Sequence, residues 1–250
     1  MLAVEAGCVV TAVHVDHGLR EGSADEAGVV ADAAARFGAA FESRQVRVEP
    51  GPNLEARARQ ARYAVLPKDV ATGHTLDDQA ETVLLNLLRG AGADGLAGMR
   101  GNRPLLRLRR VETQALCAEA GLVPVEDPSN TDPAYRRNRV RHELLPLLND
   151  IAGRDVAPVL ARQAALLRDE VDLLDALAAE IDPTDARAVA AAPVVLARRV
   201  VRRLLTGEHP PDAAAVERVL AVARGERVAC EVAPGLRVRR SAGRLYVGPA

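Results

Sequence analysis

Flat rings are nearly missing from this chain: two Phe, three Tyr and no Trp in 250 residues. Platforms for stacking nucleobases are therefore scarce. Lysine is rarer still, Lys68 being the only one, so arginine supplies almost all the positive charge. Together with the Ala, Val and Gly richness, this reads as a GC-rich genome rather than a functional demand. Three cysteines, Cys8, Cys117 and Cys230, lie far apart and in odd number. They exclude a disulfide framework and a cysteine zinc site, and fit a reducing cytoplasm. No apolar run reaches the ~20 residues of a membrane span, and no basic-then-apolar leader pattern opens the sequence. Neither sign of charge prevails, with 33 Lys+Arg against 34 Asp+Glu. A wholly basic nucleic-acid coat is excluded, but a local basic face is not.

What is present is enough apolar residue, 48%, for a packed core, in one large domain or a medium one with an appendage. Over the first hundred residues strand and helix patterns alternate. The apolar run from Cys8 to Val15 predicts a parallel strand buried on both faces. A capping box, Ser23 with Glu26, opens a helix to about Phe37 that stops at Gly38. Phe41 to Val48 reads as a second strand. Asn53 caps a helix to about Leu66, with Leu54, Ala58, Ala61 and Val65 on one face. A short strand over Val70 to Gly73 leads to a helix from about Thr75 to Arg89, which buries Val83, Leu84, Leu87 and Leu88 and ends at Gly90. The alternation predicts an α/β doubly wound parallel sheet over residues 1–150. Residues 151–250 read as a mainly helical module with a small β end. Its helices are Pro158–Ile181, Pro193–Leu205 and Ala213–Arg224, and its short strands are broken at Pro234-Gly235 and Ala242-Gly243.

Three regions carry chemistry. The first follows the first strand and holds His14, Asp16 and His17; the second follows the short strand and holds His74, Asp77, Asp78 and Glu81. Ligands of parallel sheets bind outside such strand ends. Asp77 and Asp78 fall in the first turn of a helix, where the dipole favours carboxylate ions. They suit Mg²⁺ held against phosphates, or the orientation of an amine nucleophile; equally, Thr75 and Asp78 form an ordinary cap. His14 and His17 pack at a strand end or face a ligand, without the further ligands zinc requires. Arg89, Gly90 and the glycines after them either approach a phosphate or form a flexible connection. The third region runs from Glu126-Asp127-Pro128-Ser129-Asn130 to Arg136-Arg137-Asn138-Arg139-Val140-Arg141. Its arginines either grip phosphate oxygens or form a solvated helix face. Charge divides accordingly: residues 1–99 hold nine basic and fourteen acidic residues, residues 100–142 nine and five.

Together, His14-Val15-Asp16-His17-Gly18-Leu19-Arg20, Gly73-His74-Thr75 through Asp77-Asp78-Gln79-Ala80-Glu81-Thr82, the glycine-rich stretch from Arg89 to Met99, Arg103-Pro104-Leu105-Leu106 and the Asp127–Arg141 region resemble the tRNA(Ile)-lysidine synthetases. The match is strong over about residues 9–148 and weaker beyond. The resemblance implies a PP-loop (adenine nucleotide alpha-hydrolase-like) fold. It also implies a ligase that adenylates the wobble cytidine of an isoleucine tRNA with ATP, then joins free lysine to its C2. Asp78 would be the main catalytic acid, orienting lysine or Mg²⁺, with Asp77 and His74 beside it. Glu81 and Asp127 would bind the lysine ammonium, and His14, His17, Arg89 and Gly90 would lie on the lysine and ATP side. Arg137, Asn138, Arg139 and Arg141 would face ATP or tRNA phosphates. The helical half would hold the tRNA body, and a homodimer through the long helices is compatible with it.

The family's Ser-Gly-Gly-x-Asp-Ser phosphate loop does not occur in the sequence. The expectation is that the gene product starts upstream, that the first strand of the sheet lies there, and that these 250 residues alone do not exchange ATP with pyrophosphate. The alternatives are a non-catalytic tRNA-binding remnant, or another PP-loop tRNA-modifying enzyme such as a thiolase. The lack of paired Cys-x-x-Cys motifs counts against the thiolase.

Overall fold

The computed structural model describes residues 1–16, 18, 26–48, 51, 54–124, 130–206 and 211–249. The chain forms two compact units: Met1–Leu85 with Met99–Ala161, and Asn86–Gly98 with Arg162–Ala250.

In the first unit, α1 (Leu2–Glu5) ends at Gly7, whose φ of +79° is cheap only for glycine. β1 (Thr11–Asp16) and β2 (Ala40–Gln45) then pair in parallel, from Thr11 opposite Ala40 to Asp16 opposite Gln45. The crossover between them is α2 (Glu26–Arg36), which packs on both strands, as a parallel pair requires. The proposed caps Ser23 and Asn53 lie outside the described residues. In α3 (Leu54–Val65), Ala58, Ala61 and Val65 are half-buried while Arg59 and Arg62 are exposed, as the amphipathic pattern predicts.

Three expectations are corrected. β1 is not buried on both faces: only Asp16 is buried, because β1 has a single ladder neighbour among the described residues. Val70 to Gly73 is not a strand. With no ladder to join, its polar groups find other partners: Thr72 N–H donates to the Asn102 carbonyl at 3.1 Å, and Asn102 Nδ2 to the Asp69 carbonyl at 3.0 Å. Finally, α4 (Leu76–Leu88) buries Gln79, Ala80, Glu81, Val83 and Leu84, but Leu87 and Leu88 are 57% and 69% exposed, so burial ends with its middle turns.

Two contacts fix the start of α4. Leu76 N–H donates to the Leu108 carbonyl at 2.8 Å, and the buried Gln79 Oε1 accepts from Met99 N–H at 2.8 Å. The segment reaching Leu108 leads into α6 (Arg110–Glu119). Further on, α7 (Arg136–Arg139), a π-helical turn (Val140–Leu144) and α8 (Leu145–Ala152) follow without interruption, ending at Gly153 with φ +61°.

The second unit contains α5 (Ala93–Leu96), most of α9 (Ala157–Ala179), α10 (Ala186–Ala191), α11 (Val194–Leu204) and α12 (Ala213–Arg224). An antiparallel sheet, β3 (Ala229–Ala233), β4 (Leu236–Ser241) and β5 (Arg244–Pro249), completes it in that spatial order. Asp185 and Asp212 cap α10 and α12 by accepting from backbone amides. The turn between β4 and β5 places Ala242 and Gly243 at φ +48° and +76°, matching the predicted break. The core joins Val189, Val200, Val201, Val219 and Leu220 of the helices to Cys230, Val238 and Leu245 of the sheet. Alternation along β4 turns Val238 inward and leaves Arg237 and Arg239 outward, with Arg239 stacked 4.6 Å from the Tyr246 ring. No helix among the described residues is long and apolar enough to cross a membrane, and the three cysteines are free.

Candidate active site

The acids of α4 meet arginines from two other segments of the first unit. Thr75 and Asp78 do make the capping box: Asp78 Oδ2 accepts from Thr75 N–H at 2.8 Å and Thr75 Oγ1 at 2.9 Å, and Thr75 Oγ1 receives Asp78 N–H at 3.4 Å. That use occupies one carboxylate oxygen. The other, Oδ1, accepts from Arg110 Nη2 at 3.0 Å and Arg137 Nη2 at 3.3 Å. One turn on, Glu81 is fully buried, at 0% exposure, and both its oxygens are used twice. Oε1 accepts from Arg110 Nη2 at 2.9 Å and Arg141 Nε at 2.7 Å. Oε2 accepts from Arg137 Nε at 2.7 Å and Arg141 Nη2 at 3.2 Å. Asp77 points elsewhere, holding Arg109 Nη2 at 2.8 Å and the Arg110 amide at 2.7 Å, while Arg109 also reaches Asp155.

Helix geometry explains the convergence. Arg137 and Arg141 are four residues apart and so share a face, which meets Glu81. Arg139 points away, 62% exposed, and pairs with Glu143; Asn138 is buried and donates to the Asp132 carbonyl at 2.8 Å. Of the four residues expected on phosphates, Arg137 and Arg141 therefore meet the α4 carboxylates, Arg139 meets Glu143 on an exposed face, and Asn138 is internal. His74 Nδ1 lies 2.9 Å from Thr72 Oγ1. His14 is half-buried, and its Nε2 has no hydrogen-bond partner. Arg89 is exposed beyond α4, before Gly90 at φ +74°; both belong to the second unit, unlike His74, Asp77 and Asp78. His17 and Asp127 lie outside the described residues. Arg109 and Arg110 were missed by the sequence reading. Their signal was a run of arginines after Arg103-Pro104-Leu105-Leu106, closed by Glu112, whose carboxylate accepts the Arg109 amide at 2.6 Å.

Burial alone would raise the carboxyl of Asp77, but the Arg109 side chain and the Arg110 amide outweigh it and hold it below its ordinary 3.8. For Asp78 burial is again opposed, by the Thr75 amide and Arg110, with the same outcome. Burial of Glu81 is overcome by hydrogen bonds from Arg141, Arg137 and Arg110, leaving it below its ordinary 4.5. His74 is lowered from 6.5, first by burial and then by Arg103 and Arg137, with Asp78 opposing. All four groups thus bind fewer protons folded than unfolded, so stability rises with pH through their titrations. The carboxylates' contribution is complete above their unfolded values and is lost as pH falls through the lower folded ones. His74 stability is likewise lost below its unfolded value. The urea midpoint is expected to slip modestly as pH falls below 6.5, then steeply once it passes 4.5 and 3.8. A midpoint flat across both windows would contradict the cluster.

The arrangement does not fit Mg²⁺ at Asp78. Both of its oxygens already accept hydrogen bonds, and Arg110, Arg137 and Arg141 lie within 3.8 Å of Oδ1, so a divalent cation would meet three like charges. No group of three or more acids, histidines or cysteines suited to a metal occurs among the described residues. What the site offers is a fully buried carboxylate, Glu81, beside the part-exposed Asp78, both bound to cationic nitrogen from part-exposed guanidinium groups.

A PP-loop domain family model matches residues 2–148. The tRNA(Ile)-lysidine synthase of Nocardia farcinica is 47% identical, the match covering 81% of this chain and 70% of that protein. That of Rhodococcus opacus is 43% identical, covering 98% and 84%. Among solved structures, the U34-tRNA thiolase NcsA of Methanococcus maripaludis, with its 4Fe–4S cluster, is similar at a TM-score of 0.50 and 16% identity, covering 65% of this chain and 62% of that one. At that identity the likeness shows the fold alone: a PP-loop-type parallel sheet with helices.

Proposed function

This chain belongs to the tRNA(Ile)-lysidine synthase family, and from that premise we propose that it modifies tRNA, using ATP to join free L-lysine to the wobble cytidine of an isoleucine tRNA with a CAU anticodon. In the first step the cytidine C2 oxygen attacks the α-phosphorus of ATP and pyrophosphate leaves. In the second the neutral lysine ε-amine attacks C2 and forms the C–N bond, the C2–O bond breaks with its oxygen leaving on AMP, and the nitrogen gives up a proton.

The observation that carries the reading is one nitrogen. Arg110 Nη2 sits 3.0 Å from Asp78 Oδ1 and 2.9 Å from Glu81 Oε1, so these two acids already hold a cationic N–H donor between them. A lysine ammonium is an N–H donor of the same charge with a more compact head. Asp78 and Glu81 then bind and orient the ε-nitrogen, with Asp127 a further carboxylate for it. His74, kept neutral by burial, accepts the proton the amine must lose before it attacks. Asp77 serves through Arg109, fixing the start of α6. Arg137 and Arg141 turn their free N–H groups to ATP or tRNA phosphates, joined by Arg139 and Asn138. His14 and His17 belong to the nucleotide side. Residues 1–150 form the catalytic domain and residues 151–250 the tRNA-binding module, where Arg237 and Arg239 are exposed on β4. The exposed Leu166, Leu173 and Leu177 of α9 supply the face for a homodimer.

Labelled lysine, ATP and the tRNA decide the matter with protein from its source cells. Lysine should enter the tRNA only with ATP present, releasing AMP and pyrophosphate in step. Sulfur incorporation, or ATP turnover indifferent to lysine, would overturn the assignment.

A further inference from the structure

The acids that the preceding reading gives to the substrate amine are already filled by the chain's own cations. Asp78 and Glu81 bring two negative charges, and Arg110, Arg137 and Arg141 bring three positive ones, all within 3.8 Å. An arriving ammonium meets no vacant acceptor on Glu81, whose two oxygens each take two N–H groups, and a net positive charge besides. It therefore enters by replacing a guanidinium.

The geometry singles out which one. Arg110 Nη2 hydrogen-bonds both carboxylates at once, at 3.0 and 2.9 Å. Arg137 uses different nitrogens for the two acids, and Arg141 comes no closer to Asp78 than 3.8 Å. A primary ammonium bridging Asp78 and Glu81 needs the place that Arg110 Nη2 holds. The Arg110 backbone is tied down separately, its amide donating to Asp77 Oδ2 at 2.7 Å, so the side chain can leave without moving the start of α6. The exchange also conserves charge: one cation leaves as one enters, whereas adding lysine to all three guanidinium groups stacks a further positive charge on the pair.

We infer that Arg110 is an internal occupant of the lysine site, drawn off by a polyanion such as the phosphates of a nucleotide, so that amine binding is conditional on the anion. This rests on the assignment of Asp78 and Glu81 to the lysine amine. By linkage, whatever factor the anion adds to lysine affinity, lysine adds to anion affinity.

Titration calorimetry with L-lysine and inorganic pyrophosphate tests the exchange. Without the anion, Arg110→Ala should bind lysine about tenfold more tightly than wild type, the scale of an ordinary coupling. Pyrophosphate should tighten lysine binding to wild type and leave Arg110→Ala unmoved. A gain of affinity on deleting a side chain is not what loss of a structural contact produces. Equal affinities in the two proteins without anion would overturn the proposal. If Arg110→Ala does not fold, the wild-type chain decides, since lysine affinity indifferent to pyrophosphate is equally fatal. Glu81→Gln separates the premise from the exchange. If it binds lysine as wild type does, the amine site itself is misassigned; if it loses lysine under every condition, the premise stands and the Arg110 comparison alone is judged.

Discussion

Replacing Glu81 with Ala should destabilise the first unit by about 3 kcal/mol, the low end of the ~3–5 kcal/mol typical when one member of a buried ion pair is removed. The reason is the fate of what remains. Glu81 is wholly buried and accepts hydrogen bonds from Arg110, Arg137 and Arg141, on two helical elements far apart in sequence. Without it, three guanidinium groups face Asp78 alone. They are 24–30% exposed, so water recovers part of their solvation, which is why the low end applies. Glu81→Gln, which keeps the shape and one acceptor oxygen, should fall between the wild type and the alanine variant. Urea unfolding of the three proteins measures the series. A loss of only ~0–1 kcal/mol, the scale of a surface pair, would show that the cluster adds little to the fold.

Asp78→Ala should abolish lysine transfer, a loss of roughly 10²–10⁴-fold if its role is to position the amine next to its proton acceptor. tRNA affinity should be nearly unchanged, because phosphate contacts come from other residues. Asp78 also closes the cap with Thr75 and pairs with Arg110 and Arg137, so the alanine variant should give up about 1 kcal/mol for the cap, and more for the ion pairs. Asp78→Asn separates the two effects. An amide oxygen still accepts the Thr75 amide, yet carries no charge for an ammonium. The asparagine protein keeps the cap but loses the ion pairs with Arg110 and Arg137, so its stability should lie between wild type and the alanine variant, and it should transfer lysine as poorly as the alanine variant. Wild-type transfer from either protein would remove Asp78 from the chemistry.

Local rules carried much of this architecture. The Thr75–Asp78 box, the stops at Gly38 and Gly90, and the turn at Ala242-Gly243 follow from backbone chemistry that a short window of residues contains. Helices α9, α11 and α12 and the β4–β5 turn were legible for the same reason, since period-3.6 helices and a two-residue turn need no distant partner, whereas α10 and the place of Asn86–Gly98 in the second unit were not. Val70 to Gly73 misled because a strand is defined by its neighbour, and β-branched residues alone do not supply one. Leu87 and Leu88 obeyed the helical period but not the extent of the surface that covers α4. In the site, the acids could be read and their partners could not. Nothing near Glu81 announces that residues 29, 56 and 60 positions later will close on it. The basic middle beside an acidic half was visible as a charge imbalance; that three of its arginines close on Asp78 and the buried Glu81 is a tertiary fact.

Every cation at Asp77, Asp78 and Glu81 is an arginine, and the chain's one lysine is Lys68. Acetylation, carbamylation and amine-directed cross-linkers therefore have no side chain to attack in the cluster. The positive half of the site keeps its charge throughout the pH range in which the protein folds. In a site read as handling lysine, amine-directed reagents thus consume the substrate and spare the pocket that receives it.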